Sequence, residues 1–209
     1  MRAAIAIAAV LLCLAPLPAF TEGSASRLPD LPDPPTDPVL KKDFEATKAS
    51  GGAVINIQLT LGHAPKYMQA IGQVARTIRN EGVSPRLLRE LAILRSAYLV
   101  GSEYEFAHHL ALAKACNYPA AKLDGVSKWP QSASVFDERE RAMLAYIEQM
   151  THGGDVDDAT FEQFASLFTP EEIVEISVAV SIYYGGGLLT KALRIKLEAG
   201  GQETYLGKC

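Results

Sequence analysis

Apolar residues recur at helical spacing along the last third of this chain of 209 residues. The clearest segment opens with Thr169-Pro170-Glu171-Glu172, which combines a capping box with a proline in the first helical turn. Apolar side chains then follow at intervals typical of a helix as far as Leu197. A helix of this length must bury one face against other helices, so the segment restricts the chain to folds with a helical core.

Further start and stop signals divide the rest of the chain into helices. Caps, first-turn prolines and terminal glycines predict helices over 38–48, 65–79, 85–99, 138–150 and 159–168. A further helix is expected from the Gly101-Ser102 break to Asn117, and a shorter one from Pro119. Over 54–61 we predict a helix rather than a strand. No strand pattern of comparable length competes with them. The predicted fold class is therefore all-α, with six to eight helices around one core.

Three consecutive glycines, Gly185-Gly186-Gly187, interrupt the last helical segment. Each glycine inside a helix costs about 1 kcal/mol relative to alanine. The triplet therefore predicts a kink, a break or the close approach of another backbone.

The first residues form a segment of a different kind. Met1-Arg2 is followed by an apolar run from Ala3 to Ala15 and then by Pro16, Pro18 and Ala19. The run is shorter than the roughly 20 residues that span a bilayer. We therefore predict a signal peptide over 1–26, with an uncleaved anchor as the alternative, and an exported protein, periplasmic or secreted, with no membrane association after cleavage.

Residues 27–40 hold five of the twelve prolines, together with Asp30, Asp33 and Asp37. This composition favours an extended, solvated chain of polyproline character. We expect a linker here, or an arm that packs on a neighbouring subunit, followed by one helical domain over 41–209.

Charge and cysteine content exclude other classes of protein. With 20 Lys+Arg against 24 Asp+Glu and no long basic run, the chain has a net charge of -4, so we expect no nucleic-acid partner. Beyond the signal peptide, Cys116 and Cys209 make neither a CxxC motif nor a zinc-finger spacing. One expectation is that the two cysteines form a disulfide in an oxidising compartment. The alternative is that they stay unpaired, with Cys116 buried in a helix and Cys209 at a loose C-terminus. We expect no metal and no other cofactor.

The segment from Gly101 to His109 holds half of the four histidines, next to two glutamates. Glu105 and His109 lie one turn apart on one helix face, with Ser102 a turn earlier. A carboxylate one turn from an imidazole can accept its N–H, fix its tautomer and favour its protonated form, which a general acid/base requires. His108 points to another side and is expected to pack or cap. The competing interpretation is an ordinary solvated Glu–His pair.

Residues 87–95 (LLRELAILR), 101–109 (GSEYEFAHH) and 111–115 together resemble the core of the carboxymuconolactone decarboxylase family, which shares its fold with the AhpD alkylhydroperoxidases. Weaker similarity extends upstream through Asn56-Ile57 and 61–65, and downstream through 138–145 and 161–193. The resemblance implies an AhpD-like helical bundle that assembles into trimers or hexamers, with sites near the subunit interfaces.

In the peroxidase branch of that family, the functional set is a glutamate on one helix and C-x-x-C-x-x-x-H on the next. The resemblance places the glutamate at Glu90 and the histidine at His109, whereas the two cysteine positions hold Ser102 and Glu105. Serine and glutamate cannot form the disulfide that reduces a peroxide, and Cys116, seven residues after His109, does not replace the pair. Proton transfer fits better, as in the decarboxylase branch, which also lacks the cysteine pair and acts on a small lactone acid.

We therefore predict a catalytic unit made of Glu90, Glu105 and His109. The predicted substrate-binding residues are hydrogen-bonding groups and two candidate cations for an anionic substrate: Ser102, Tyr104, Tyr183, Tyr184, Arg89 and Arg95. Each arginine has the alternative of being solvated or paired with an acid.

Three functions stay open at this point. The first is a cofactor-independent lyase, isomerase or hydrolase acting on a small carboxylated, carbonyl or lactone compound. The second is the peroxide-reducing activity of the wider family, which the missing cysteines disfavour. The third is an oligomeric binding protein without catalysis.

Overall fold

The computed structural model describes residues 25–49 and 51–199. The predicted signal peptide, apart from residues 25 and 26, lies outside this part of the chain, as does Cys209.

The described residues fold into helices connected by short turns, and they contain no strand. The elements are α1 (Pro38–Ala49), α2 (Asn56–Leu61), α3 (Pro65–Asn80), α4 (Arg86–Val100), α5 (Glu103–Ala115), α6 (Ala120–Val126), a 3-10 turn (Ala133–Val135), α7 (Glu138–Thr151), α8 (Asp158–Leu167) and α9 (Pro170–Leu193). The all-α class is confirmed, with one α-helix more than the predicted range. Residues 54–61, for which a strand was the alternative, hold the short helix α2.

Helix starts follow the cap signals in the sequence. Asp137 accepts the backbone N–H of Glu140, whose carboxylate accepts the N–H of Asp137, so the predicted capping box opens α7. The same arrangement at Thr169 opens α9. Helix α8 begins at Asp158, one residue before the predicted start, and its cap is Asp157.

Helix α4 is the centre of the fold. Every residue from Leu88 to Ala97 is buried, because α9, α5 and α7 pack around it. A helix that is covered on all sides buries its polar side chains too, and those need partners inside the protein. The partners of the polar residues of α4 therefore determine where a functional site can lie.

Helix α9 runs through the glycine triplet without a break. Gly187 is buried against the end of α4, and a Cβ atom at this position would overlap the side chain of Val100. The predicted break is therefore absent, and the close neighbours of Gly187 are the side chains of Val100 and Ser102 where another backbone was the predicted alternative.

The segment before α1 packs on the helical domain. The backbone N–H of Arg27 donates to the carbonyl of Leu193 at 3.1 Å, and Leu31 packs on a small cluster of Leu40, Phe44 and Met68. Because α1 begins at Pro38, the last three residues of the predicted arm are helical.

By length and composition, α9 could cross a membrane. The core helix of a soluble protein passes the same test, and Ile176 and Val180 of α9 pack in the main core. This is weak evidence for a membrane span.

Candidate active site

A tight turn between α4 and α5 creates the site. Gly101 ends α4 with φ 67°, in the left-handed region that glycine adopts without steric cost. Ser102 then caps α5, because its hydroxyl accepts the backbone N–H of Glu105 at 3.2 Å. The chain reverses at this point, and His109 on α5 comes to lie beside Glu90 on α4.

Glu90 is fully buried and accepts hydrogen bonds from two side chains. Its Oε2 accepts from Nδ1 of His109 at 2.8 Å, and its Oε1 accepts from Nε of Arg86 at 2.9 Å. Burial alone would raise the pKa of Glu90, but His109 and Arg86 outweigh it and hold the pKa below its ordinary value. Glu90 is therefore an anion that orients the imidazole through Nδ1, and Nε2 is the nitrogen that faces the site.

Glu105 lies on the Nε2 side of the imidazole. Its Oε2 is 4.0 Å from Nε2 of His109, too far for a direct hydrogen bond. Burial raises the pKa of Glu105, and the nearby positive charges only partly oppose that effect. The sequence predicted that Glu105 fixes the tautomer of His109, but the structure gives this contact to Glu90. The Glu90 carboxylate on α4 lies 2.8 Å from the imidazole, closer than the Glu105 carboxyl one turn earlier on α5, which lies 4.0 Å away.

The distance between the two groups allows one atom to bridge them. An oxygen placed to one side of the pair would lie about 2.8 Å from both His109 Nε2 and Glu105 Oε2, which are 4.0 Å apart. The arrangement combines a histidine oriented by an anion with a carboxyl group whose pKa is raised. Two titratable groups whose environments separate their pKa values are a usual basis for acid and base roles.

Two further side chains complete this cluster. Tyr183 of α9 packs edge-on against His109, with 4.7 Å between ring centroids, and its hydroxyl accepts from Arg79 of α3 at 3.3 Å. Burial raises the pKa of Tyr183 to about 12, although Arg79 opposes the shift. The charge of Arg79 also acts on Glu105, where it partly opposes the rise in pKa that burial causes.

Sequence reasoning missed Arg79. Nothing in the sequence distinguishes it from Arg76, which lies one turn earlier on the same helix and pairs with Gln73. Tyr183, by contrast, is one of the two tyrosines predicted for the site. Its neighbour Tyr184 is half-buried and is not the tyrosine in contact with His109.

Ser102 and Tyr104, also predicted for the site, bond elsewhere. The Ser102 hydroxyl is buried and lies 2.8 Å from the Thr190 hydroxyl, so it joins α5 to α9 in addition to capping α5. The Tyr104 hydroxyl donates to Glu198 at 2.7 Å and accepts the backbone N–H of Ile57 at 3.1 Å. Both side chains fasten elements of the fold to one another.

Arg95 lies away from the His109 cluster and is buried among other partners. Its Nε donates to Glu148 at 2.6 Å and a terminal nitrogen donates to the carbonyl of Val126 at 2.7 Å. This corresponds to the alternative of an arginine paired with an acid.

Arg89 is placed similarly, on another side of α4. It is buried, and one terminal nitrogen donates to the carbonyl and the hydroxyl of Ser84. Burial lowers the pKa of Arg89, with Glu175 opposing the shift. The arginines that contact the His109 cluster are therefore Arg86, through Glu90, and Arg79, through Tyr183, in place of Arg89 and Arg95.

A second polar cluster forms around Glu198, after the end of α9. Its two carboxylate oxygens lie 2.7 Å from the Tyr104 hydroxyl and 2.7 Å from Nε2 of His108. The backbone N–H of Asn56 donates to the same carboxylate at 2.8 Å. These bonds outweigh the effect of burial and lower the pKa of Glu198 to about 2. His108, expected to pack or cap, is thus a hydrogen-bond partner of a residue 90 positions away.

The described residues contain no group of three or more His, Cys, Asp and Glu suited to hold a metal ion. Cys116, which caps the end of α5, is disulfide-bonded.

No family model matches the chain, and neither does any curated protein. Several solved structures share its fold. An uncharacterized peroxidase-related protein from Silicibacter sp. TM1040 is 18% identical with a TM-score of 0.73, and the match covers 88% of this chain and 98% of that one. An uncharacterized peroxidase-related protein with the alkylhydroperoxidase AhpD core, from Ralstonia eutropha JMP134, is 20% identical with a TM-score of 0.70, over 88% and 97% of the two chains.

A third similar structure is that of the debrominase Bmp8. A cysteine-to-alanine variant of this enzyme in complex with 2,3,4-tribromopyrrole is 22% identical with a TM-score of 0.66, over 80% of this chain and 89% of that one. Together these likenesses show that the chain has the AhpD-like helical fold, as the sequence resemblance predicted.

Proposed function

We propose that this protein is a cofactor-independent acid/base enzyme acting on a small carboxylated or lactone compound. The observation that carries the proposal is the placement of His109 between two buried carboxyl groups, with Glu90 at 2.8 Å from Nδ1 and Glu105 at 4.0 Å from Nε2. The two carboxyl groups have pKa values shifted in opposite directions.

His109 acts as the base in this proposal. Glu90 accepts the Nδ1 proton and stabilises the imidazolium that forms when Nε2 takes a proton from the substrate. Glu105 acts as the acid, because a carboxyl with a raised pKa keeps its proton to a higher pH and can donate it to a carbanion or oxyanion. Such a pair serves a lyase, an isomerase or a hydrolase.

Arg79 and Tyr183 form the side of the site that receives the carboxylate of the substrate. Arg79 supplies a cation and Tyr183 a hydroxyl, and the two groups are 3.3 Å apart. The debrominase of similar fold binds a small halogenated ring, which supports a compound of comparable size here.

Thiol-dependent peroxidase activity is the disfavoured alternative, although two proteins of similar fold are described as peroxidase-related. Ser102 and Glu105 occupy the motif cysteine positions, and the Ser102 hydroxyl is committed to capping α5 and to Thr190. Cys116 is disulfide-bonded and lies beyond the motif. We expect no consumption of hydroperoxide with a dithiol reductant.

We further propose export and assembly into a homo-oligomer, a trimer or a hexamer. The apolar run of residues 3–15 supports export, and the exposed apolar side chains of α3 and α9 support assembly.

The central test is a comparison of His109→Gln, Glu90→Gln and Glu105→Gln with His108→Gln. Small lactones and carboxylic acids are screened for turnover, and the rate and melting temperature of each variant are measured. Loss of a positioned acid or base lowers the rate roughly 10²- to 10⁴-fold. We expect that loss in the three site variants and a rate close to native in the control, whose imidazole binds Glu198 instead.

Two results of the same assay would contradict the acid/base proposal. Full activity of His109→Gln would refute the acid/base proposal. Ligand-dependent stabilisation without turnover of any compound would favour the non-catalytic binding protein.

A further inference from the structure

The three glycines of α9 have different surroundings, although they are consecutive. Gly185 is exposed, and a Cβ atom there would meet nothing within 4 Å. Gly187 is buried, and a Cβ would overlap Val100 and lie 3.1 Å from Cβ of Ser102. Gly186, between them, is half-buried, and its Cβ would lie 3.4 Å from Oε1 of Glu105.

Packing accounts for the glycine at 187 but not for the one at 186. A distance of 3.4 Å is an ordinary van der Waals contact, so an alanine at 186 fits without displacing its neighbours. Alanine would also favour the helix by about 1 kcal/mol. The first atom that the new methyl group would touch is an oxygen of the carboxyl group proposed as the acid.

The backbone of α9 therefore forms a wall of the site at the Glu105 carboxyl. The Glu105 side chain is 9% exposed, so only a small part of it is accessible from outside. A methyl group at 186 would lie 3.4 Å from Oε1 of this carboxyl, whereas one at 185 would extend into open space.

We propose that Gly186 is a specificity-determining residue that keeps room beside Glu105 for one small group of the substrate. The group is a carbonyl or hydroxyl oxygen, because the protonated Glu105 donates a hydrogen bond to an oxygen, whereas the carboxylate of the substrate is received by Arg79 and Tyr183. The inference rests on the acid role proposed for Glu105, but access to position 105 can be measured without any turnover.

The first experiment measures that access with a thiol placed at the site by Glu105→Cys. Labelling by methyl methanethiosulfonate, which is small, and by N-phenylmaleimide, which is bulky, is followed by mass spectrometry of the folded protein. The chain without this substitution serves as the blank for its own cysteines. The two labelling rates are then compared after adding Gly186→Ala or, as the matched control, Gly185→Ala.

We expect the small reagent to label the introduced thiol, and Gly186→Ala to slow the bulky reagent by at least about tenfold, equivalent to 1.4 kcal/mol in a barrier. Gly185→Ala should leave both rates unchanged. No labelling by the small reagent in the folded protein would overturn the proposal, as would equal rates in the two glycine variants.

The second experiment uses the native Glu105. Gly186→Ala should lower kcat/KM most for substrates with the largest group beside the reacting oxygen, at an unchanged or higher melting temperature, while Gly185→Ala has no such effect. If the labelling pattern holds but no compound is turned over, the access proposal stands and the acid/base function fails. If turnover occurs and the two glycine variants behave alike, the function stands and the access proposal fails.

Discussion

Glu90 and Glu105 are both buried glutamates, but they differ in their partners. Glu90 has the guanidinium of Arg86 and the imidazole of His109 within 2.9 Å. Glu105 has its backbone N–H bonded to Ser102, while its carboxyl oxygen lies 4.0 Å from the imidazole. A buried charge without a close partner destabilises the folded state. Glu105 is therefore a residue that the proposed acid/base function requires and that stability does not.

The first prediction is that Glu105→Gln stabilises the protein near neutral pH while lowering its activity. Because the pKa of Glu105 is raised in the folded state, the native protein loses stability relative to the variant as the pH rises from the ordinary value of 4.5 through the folded pKa. Urea unfolding at pH 4 and pH 8 measures the difference, which should grow with pH. The rate should fall roughly 10²- to 10⁴-fold.

Glu90→Gln is the matched control for this prediction. It removes the charge from a buried carboxylate that is paired with Arg86 and bonded to His109, and breaking such a buried pair costs about 3–5 kcal/mol. Its stability should therefore fall. If Glu105→Gln is destabilised to the same extent, Glu105 belongs to the structural network and the proposed acid role loses its support.

The sequence located the residues of the site that share a motif and missed those that arrive from distant segments. Glu90, Glu105 and His109 lie within 20 positions of one another in the region that carries the family resemblance. Arg79 and Glu198 reach their partners across separations of 104 and 90 residues. No spacing rule applies to such pairs, because the packing of α3 and of the chain after α9 decides them.

At the scale of elements, Glu198 joins the described chain after α9 to several other segments of the fold. Glu198 bonds Tyr104 and His108 on α5 and the N-terminal residue of α2, Asn56. Three separate parts of the fold therefore depend on one carboxylate. Its pKa of about 2 shows that these bonds favour the charged form.

The second prediction is a loss of this stabilisation in acid. Because the folded pKa of Glu198 lies below the ordinary 4.5, its contribution is complete above about pH 5 and disappears as the pH falls toward 2. Glu198→Gln should cost about 1–3 kcal/mol at pH 7, the usual range for leaving buried partners unsatisfied. Denaturant unfolding at pH 7 and pH 3 should show a smaller difference at the lower pH.

Glu162→Gln, at an exposed position of α8, is the control for removing one negative charge. A cost of Glu198→Gln that is the same at both pH values would show that the carboxylate charge does not contribute. Limited proteolysis should also cut the C-terminal segment of Glu198→Gln faster than that of the native protein.

Helix boundaries were the most predictable part of the fold, because caps are local chemistry. Asp137 and Thr169 mark their helices through bonds to residues three positions away. The glycine triplet was predictable only as a set of alternatives. The sequence shows that glycines are present, but the approach of Val100 to Gly187 depends on how α4 and α9 pack.

At the scale of the molecule, α3 and α9 each leave apolar side chains exposed to solvent. Tyr67, Ile71 and Val74 of α3 are 72%, 38% and 37% exposed, and Val174 and Val178 of α9 are 61% and 40% exposed. A groove of about 390 Å³ between the helices is lined by Val174 and Val178. Apolar groups collected in this way mark an interaction surface.

The charges around this surface suit contact with a second copy of the chain. Glu81 and Glu171 lie at the groove, and α3 carries Lys66 and Arg76 on exposed positions. A surface with both signs of charge beside an apolar groove can pair with itself in a symmetric assembly.

The last prediction is that Val178→Glu dissociates the native oligomer. A charge introduced among apolar side chains at an interface has to be desolvated on assembly, which disfavours it. Light scattering at micromolar concentration should give a trimer or a hexamer for the native protein and a smaller species for the variant, with unchanged helix content by circular dichroism. Val39→Glu, at a valine of α1 with 39% exposure, is the matched control and should assemble normally. A native protein that is a monodisperse monomer would contradict the prediction.

Because α9 carries Tyr183 and Gly186 shortly after Val178, a drop in kcat/KM on dissociation, absent from the control, would show that assembly holds this wall of the site in place.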